Sequence, residues 1–100
     1  MTRIGIILGS TRQGRNGALV ADWVTSLANA RTDADFELVD LRDYPLPHLG
    51  EDDPRGRDDV AATVRAWAGK VASFDGFVFV TPEYNHSTSG VLKNAIDHLQ

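Results

Sequence analysis

The sequence predicts an α/β fold: a doubly wound parallel sheet with strand order 2-1-3 and helices on both faces. Two observations carry that prediction. Short apolar, β-branched runs alternate three times with segments of helical period, and that order implies right-handed crossovers between parallel strands. A glycine-rich loop also follows directly on the first apolar run, at a strand's carboxyl end, where open α/β sheets bind their ligands.

The elements follow in order. Arg3 to Leu8, "RIGIIL", reads as a strand buried on both faces and closed by Gly9. From Gly17 to Ala30, Val20, Trp23, Val24 and Leu27 fall at i, i+3, i+4 and i+7, which predicts a helix with those four on its core face. "DFELVD", Asp35 to Asp40, is the second strand, with Asp40 marking its end. Three prolines and two glycines then keep the connection "LRDYPLPHLGEDDPRGR" largely irregular. Asp58 is the expected cap of a second helix carrying Val60, Val64, Trp67, Ala68 and Val71 on one face. Gly76 to Thr81 is the third strand. A third helix opens near Gly90 and is expected to run uncapped to Gln100, with Leu92, Ala95, Ile96 and Leu99 inward. Trp23 and Trp67 both read as core residues. The chain is expected to be one part of a longer doubly wound sheet, its remaining strands lying beyond these 100 residues.

Composition narrows the function. A chain with 42% hydrophobic residues and a net charge of −4 is an ordinary globular sequence without the basic excess that nucleic-acid binding needs. Cysteine is absent, which removes disulfides, thiolate metal sites and cysteine nucleophiles. The three histidines are not at metal-ligand spacing, so no metal site is expected. No apolar run reaches the roughly 18 residues of a membrane span. With no signal-peptide pattern after Met1, a cytoplasmic location is expected.

The loop "GSTRQGRNG", residues 9 to 17, has the chemistry of a phosphate site. Gly9 allows a tight turn, Ser10 and Thr11 bring hydroxyls, and Arg12 and Arg15 bring guanidinium forks suited to phosphate oxygens. The amides at the start of the following helix add partial positive charge. Gly14 is followed by Arg-Asn rather than Lys-Ser/Thr, and the glycines fall at 9, 14 and 17. The loop is therefore neither a Walker A loop nor a G-x-G-x-x-G fingerprint. A glycine-rich surface turn with solvated arginines is the plainer alternative.

"TPEYNHSTSGVLKNAIDHL", residues 81 to 99, supplies the second loop. Together with "LGSTRQGRNG" and the connection "DLRDYPLPHL", it resembles the NADPH-dependent FMN reductase family, flavodoxin-like flavoproteins that include quinone, azo-dye and chromate reductases. The resemblance implies a flavodoxin-like fold, with residues 1–100 as the N-terminal part of a single FMN-binding domain. It implies that Ser10, Arg12, Arg15, Asn16 and Gly17 hold the FMN phosphate. Pro82, Glu83, Tyr84 and Asn85 would then lie against the isoalloxazine ring. Pro82 would fix the chain as it leaves the strand, and Asn85 can both donate and accept at the ring's polar rim. Tyr84 reads equally as a packing aromatic, and Glu83 as a partner for an arginine of another subunit. His86 is a possible rim contact. Lys93, Asn94 and Asp97 read as braces of the third helix, and His98 as a surface residue favoured by the helix dipole.

The activity implied is transfer of a hydride from NADPH or NADH through FMN to a small quinone-, azo- or metal-type acceptor, or reduction of flavin itself. No side chain is assigned as a catalytic acid or base. Family members are commonly dimers or tetramers, so a homodimer or homotetramer is expected. The apolar loop Tyr44-Pro45-Leu46-Pro47, read as exposed, is the expected contact beside the flavin. The family's third flavin loop, rich in glycine and serine after a fourth strand, has no counterpart here. A flavodoxin-type electron carrier that does not use NAD(P)H is the alternative of another class. The two arginines weigh against it, because flavodoxins surround the phosphate with hydroxyls. A truncated, inactive fragment is a second alternative.

Overall fold

The computed structural model describes residues 2–11, 15–51, 53, 55–84 and 88–99. Strand β1 (Arg3–Leu8) is followed by helix α1 (Gly17–Asn29), strand β2 (Asp35–Asp40) and a 3-10 turn at Leu41–Asp43. Helix α2 (Arg57–Ala72), strand β3 (Gly76–Val80) and helix α3 (Gly90–Asp97) complete the order. The sheet is parallel throughout, in the order β2-β1-β3, with Ile6 opposite both Leu38 and Val78.

Period-2 alternation along β1 divides the core into two layers. Ile6 and Leu8 face α1, where they meet Ala21, Ala28 and Val80. Ile7 faces α2 and α3 and joins Val39, Trp67, Phe74, Leu92 and Ala95. β1 is buried from Gly5 to Leu8, as expected of the central strand. Among the described residues, no helix is long and apolar enough to cross a membrane.

Several expectations need correction. Trp67 is buried at 2% exposure, but Trp23 is 64% exposed, and Val20 and Leu27 are exposed beside it. α1 meets the sheet through its small residues Ala21 and Ala28 and through the partly buried Val24, while Val20, Trp23 and Leu27 turn outward. The cap of α2 is Gly56 rather than Asp58. Its φ of 91° suits glycine, and Asp58 and Asp59 sit in the first turn, where they complement the helix dipole. α3 ends at Asp97, with His98 as its C-cap. The Tyr44–Pro47 loop is only partly exposed: the Tyr44 ring lies 5.5 Å from that of Trp67, and Leu46 packs on the same core. His98 is half-buried rather than on the surface, its Nε2–H donating to the Pro47 carbonyl at 2.8 Å. Asn94 holds that loop too, donating to Pro47 and accepting from the Leu49 amide.

Candidate functional site

β1 and β3 end side by side, so the loops that leave them face each other across the carboxyl edge of the sheet. The Gly9 amide donates to the Val80 carbonyl at 2.7 Å, which carries the pairing one residue beyond β1. Ser89 fastens the two loops together. Its buried hydroxyl donates to the Gly9 carbonyl at 2.6 Å and accepts from the Leu92 amide at 3.1 Å, capping α3. Sequence reasoning did not single out Ser89, although a serine just before a helical run is an ordinary N-cap signal.

A cleft of about 240 Å³ opens above this junction. Ser10, Arg15, Asn16 and Gly17 line one wall, and Pro82 and Tyr84 the other. These predicted residues are therefore brought together. Tyr84 is 43% exposed, and Glu83 is exposed beside it. Arg12, Asn85 and His86 lie outside the described residues. A larger cavity of about 330 Å³ lies on the far side of Thr11, between the 41–48 segment and α3. Its amide, Asn94, is already committed to Pro47 and Leu49.

The α1 end of the cleft suits an anion. α1 starts without a side-chain cap bond from Asn16 and without an acidic residue in its first turn, so its positive end is not neutralised locally. Gly17 lies so close to Leu8 that a Cβ there would sit 3.0 Å from the Leu8 Cδ1. Its lack of a side chain seats the helix end against the strand.

Arg15 is held differently from a freely solvated arginine. Its side chain is only 9% exposed. Nη1 and Nη2 donate to the two carboxylate oxygens of Asp40 at 2.9 and 2.5 Å, and Nη1 also donates to the Ser10 carbonyl. Its Nε is buried without an acceptor among the described residues. The guanidinium fork holds the Asp40 carboxyl below the usual aspartate range, and Asp40 in turn raises Arg15. Asp40 was read from sequence only as the end of a strand. Its pairing with a residue 25 positions away carries no local signal.

The family model described as NADPH-dependent FMN reductase matches residues 2–100. An NAD(P)H-dependent FMN reductase of Schizosaccharomyces pombe is 43% identical over 100 residues, covering 97% of this chain and 50% of the relative. A quinone reductase of Escherichia coli is 40% identical over 93 residues, covering 93% and 47%. The flavoenzyme NAD(P)H:(acceptor) oxidoreductase FerB from Paracoccus denitrificans superposes with a TM-score of 0.69 at 27% identity, over 98% of this chain and 50% of that one. The chain thus spans about half the length of the relatives it matches. With the family model matched over residues 2–100 and relatives of 40% identity or more, the chain belongs to the NADPH-dependent FMN reductase family.

Proposed function

We propose that this chain carries the FMN-binding loops of an NAD(P)H-dependent oxidoreductase that reduces small quinone-, azo- or metal-type acceptors, or flavin itself. The observation that supports it most is the cleft between the β1 and β3 loops, walled by an uncapped helix N-terminus on one side and by Pro82 and Tyr84 on the other. The donor set fits a flavin mononucleotide. The Ser10 hydroxyl, the α1 amides from Gly17 and the unspent Arg15 Nε meet a phosphate, with Arg12 assigned from sequence. Tyr84 offers a flat apolar face to the ring, and Pro82 stiffens the loop that presents it. Glu83 and Asn85 complete the proposed ring contacts.

When bound, FMN supplies the redox chemistry, accepting a hydride from NAD(P)H and passing electrons to the acceptor. The chain's own part is to anchor the phosphate, orient the ring and screen one of its faces from water. We place residues 1–100 as the N-terminal part of a flavodoxin-like domain whose sheet continues past β3. The apolar β3 edge and the length of the relatives support that placement. A cytoplasmic homodimer or homotetramer is the matching assembly, with the exposed Pro45 and Leu49 at the contact.

The test is an anaerobic titration of the chain with FMN, followed by addition of NADPH or NADH. Saturable quenching of flavin fluorescence and then bleaching of the visible bands is the expected result. Binding without bleaching by either nucleotide would favour the electron-carrier reading. No binding would overturn the reading that these two loops hold the flavin.

A further inference from the structure

We propose that Asp40 is a positioning residue of the phosphate site: without touching the ligand, it fixes Ser10 and Thr11, where the chain leaves β1, through Arg15 and Arg42. The inference rests on the reading of the cleft as the FMN site.

Asp40 stands at the end of β2, across β1 from the cleft. Its carboxylate takes the Arg15 fork at 2.9 and 2.5 Å and accepts the backbone amide of Arg42 at 3.0 Å. Each arginine then holds a loop carbonyl: Arg15 Nη1 donates to Ser10, and Arg42 Nε donates to Thr11 at 3.3 Å. One carboxylate therefore holds the Arg15 guanidinium and the backbone amide of Arg42, and the side chains of these two arginines restrain two successive carbonyls where the chain leaves β1.

The consequence follows from the planar trans peptide, in which a carbonyl and the next N–H point in opposite directions. Drawing the Ser10 carbonyl onto Arg15 turns the Thr11 N–H away from it. Held this way, Ser10 and Thr11 keep their carbonyl lone pairs on the arginines, and the Thr11 N–H is left for an anion. The ion pair also solves a charge problem. A bare aspartate beside the loop would weaken anion binding there, and the bidentate Arg15 compensates that charge in place. Arg15 still keeps one buried donor, Nε, beside the cleft.

The test compares FMN with riboflavin, which has the same ring and no phosphate, by fluorescence titration of the full chain. The variants are Asp40→Asn, which removes the charge, and Arg15→Lys, which keeps a charge but loses the fork. Both are expected to weaken FMN binding roughly tenfold while leaving riboflavin affinity unchanged. Equal weakening of both flavins would reduce Asp40 to a structural residue and overturn the proposal. So would wild-type FMN affinity in either variant. If Asp40→Asn does not fold, Asp40→Glu, which keeps the charge but displaces it from the Arg15 fork, carries the same comparison. A wild-type chain that binds neither flavin would overturn the FMN reading, and this one with it. A wild-type chain that binds FMN while the variants bind it equally well would overturn only this one.

Discussion

Trp67 ties α2 to α3 through one polar atom inside an apolar core. Its Nε1–H donates to the Ala95 carbonyl at 2.8 Å, while its ring packs on Tyr44. Replacing it with phenylalanine keeps an aromatic ring but leaves a void and a buried carbonyl without its donor. We expect Trp67→Phe to cost about 2 kcal/mol in urea unfolding, shared between the lost volume and the unmet acceptor. A change under about 0.5 kcal/mol would mean that the carbonyl finds another donor. At this scale the sequence was legible where period and neighbours agreed. Trp67 falls on the single apolar face of α2. Trp23 does not separate so cleanly, because α1 is apolar over more than half its circumference. Periodicity then shows an apolar face without showing which part of it meets the sheet. Ser10, Arg15, Asn16 and Gly17 could be singled out because they lie within one nine-residue loop, residues 9 to 17. Asp40 escaped because its partner is distant in sequence, and only the fold brings the two together.

β2 shows how an edge strand is held by charge as well as by its ladder. Glu37 accepts from Lys70 of α2 at 2.7 Å and from Arg3 of β1 at 3.2 Å, and Asp40 carries the Arg15 fork. Both carboxyls are held below their ordinary values, Glu37 chiefly by Lys70 and Asp40 chiefly by Arg15. The folded chain therefore binds these protons less readily than the unfolded chain. Their contribution is complete above the ordinary carboxylate range and is lost as pH falls through it towards the lowered native values. Lys70 is raised, so its share is present below the ordinary lysine range and is lost only as pH rises beyond it. Urea midpoints are expected to hold steady through neutral pH and drop below about pH 4, with a smaller drop in Asp40→Asn. About 1 M salt should weaken the half-exposed Glu37 contacts more than the sheltered Arg15–Asp40 pair. Equal acid sensitivity in wild type and Asp40→Asn would contradict the assignment. The strands themselves were legible nearly to the residue, because β1 and β3 are apolar runs next to glycine and β2 sets Phe36, Leu38 and Val39 around Glu37 between two aspartates. The α2 cap was not: Asp58 is a sound capping residue by type, but the positive φ at Gly56 turns the chain two positions earlier.

Across the whole molecule, apolar surface is exposed on α1 and along β3. Val20, Trp23 and Leu27 stand out from α1, while Phe77, Val78 and Phe79 are exposed along β3, whose outer edge has no strand beside it among the described residues. Single exposed apolar residues are ordinary, but clusters of three on one helix and three on one strand mark surfaces that something covers. An unprotected strand edge without charge or proline invites pairing. The chain spans about half the length of its relatives, which makes further strands and helices of the same domain the natural cover. The two tryptophans can report on this, since one is exposed at 64% and the other buried at 2%. In the 100-residue chain, the Trp23 share of the fluorescence, assigned with Trp23→Phe, should emit at long wavelength and be quenched by iodide. Joining the chain to the C-terminal half of its Schizosaccharomyces pombe relative should shift that share to shorter wavelength and protect it from iodide. The Trp67 share should not move. FMN affinity should rise in the same fusion, because the sheet edge that supports the Tyr84 loop would no longer be open. If affinity rises while Trp23 stays accessible to iodide, the α1 face belongs to another contact, and the domain closes only at β3. If neither changes, these apolar surfaces have a different partner, and the two loops act without further strands.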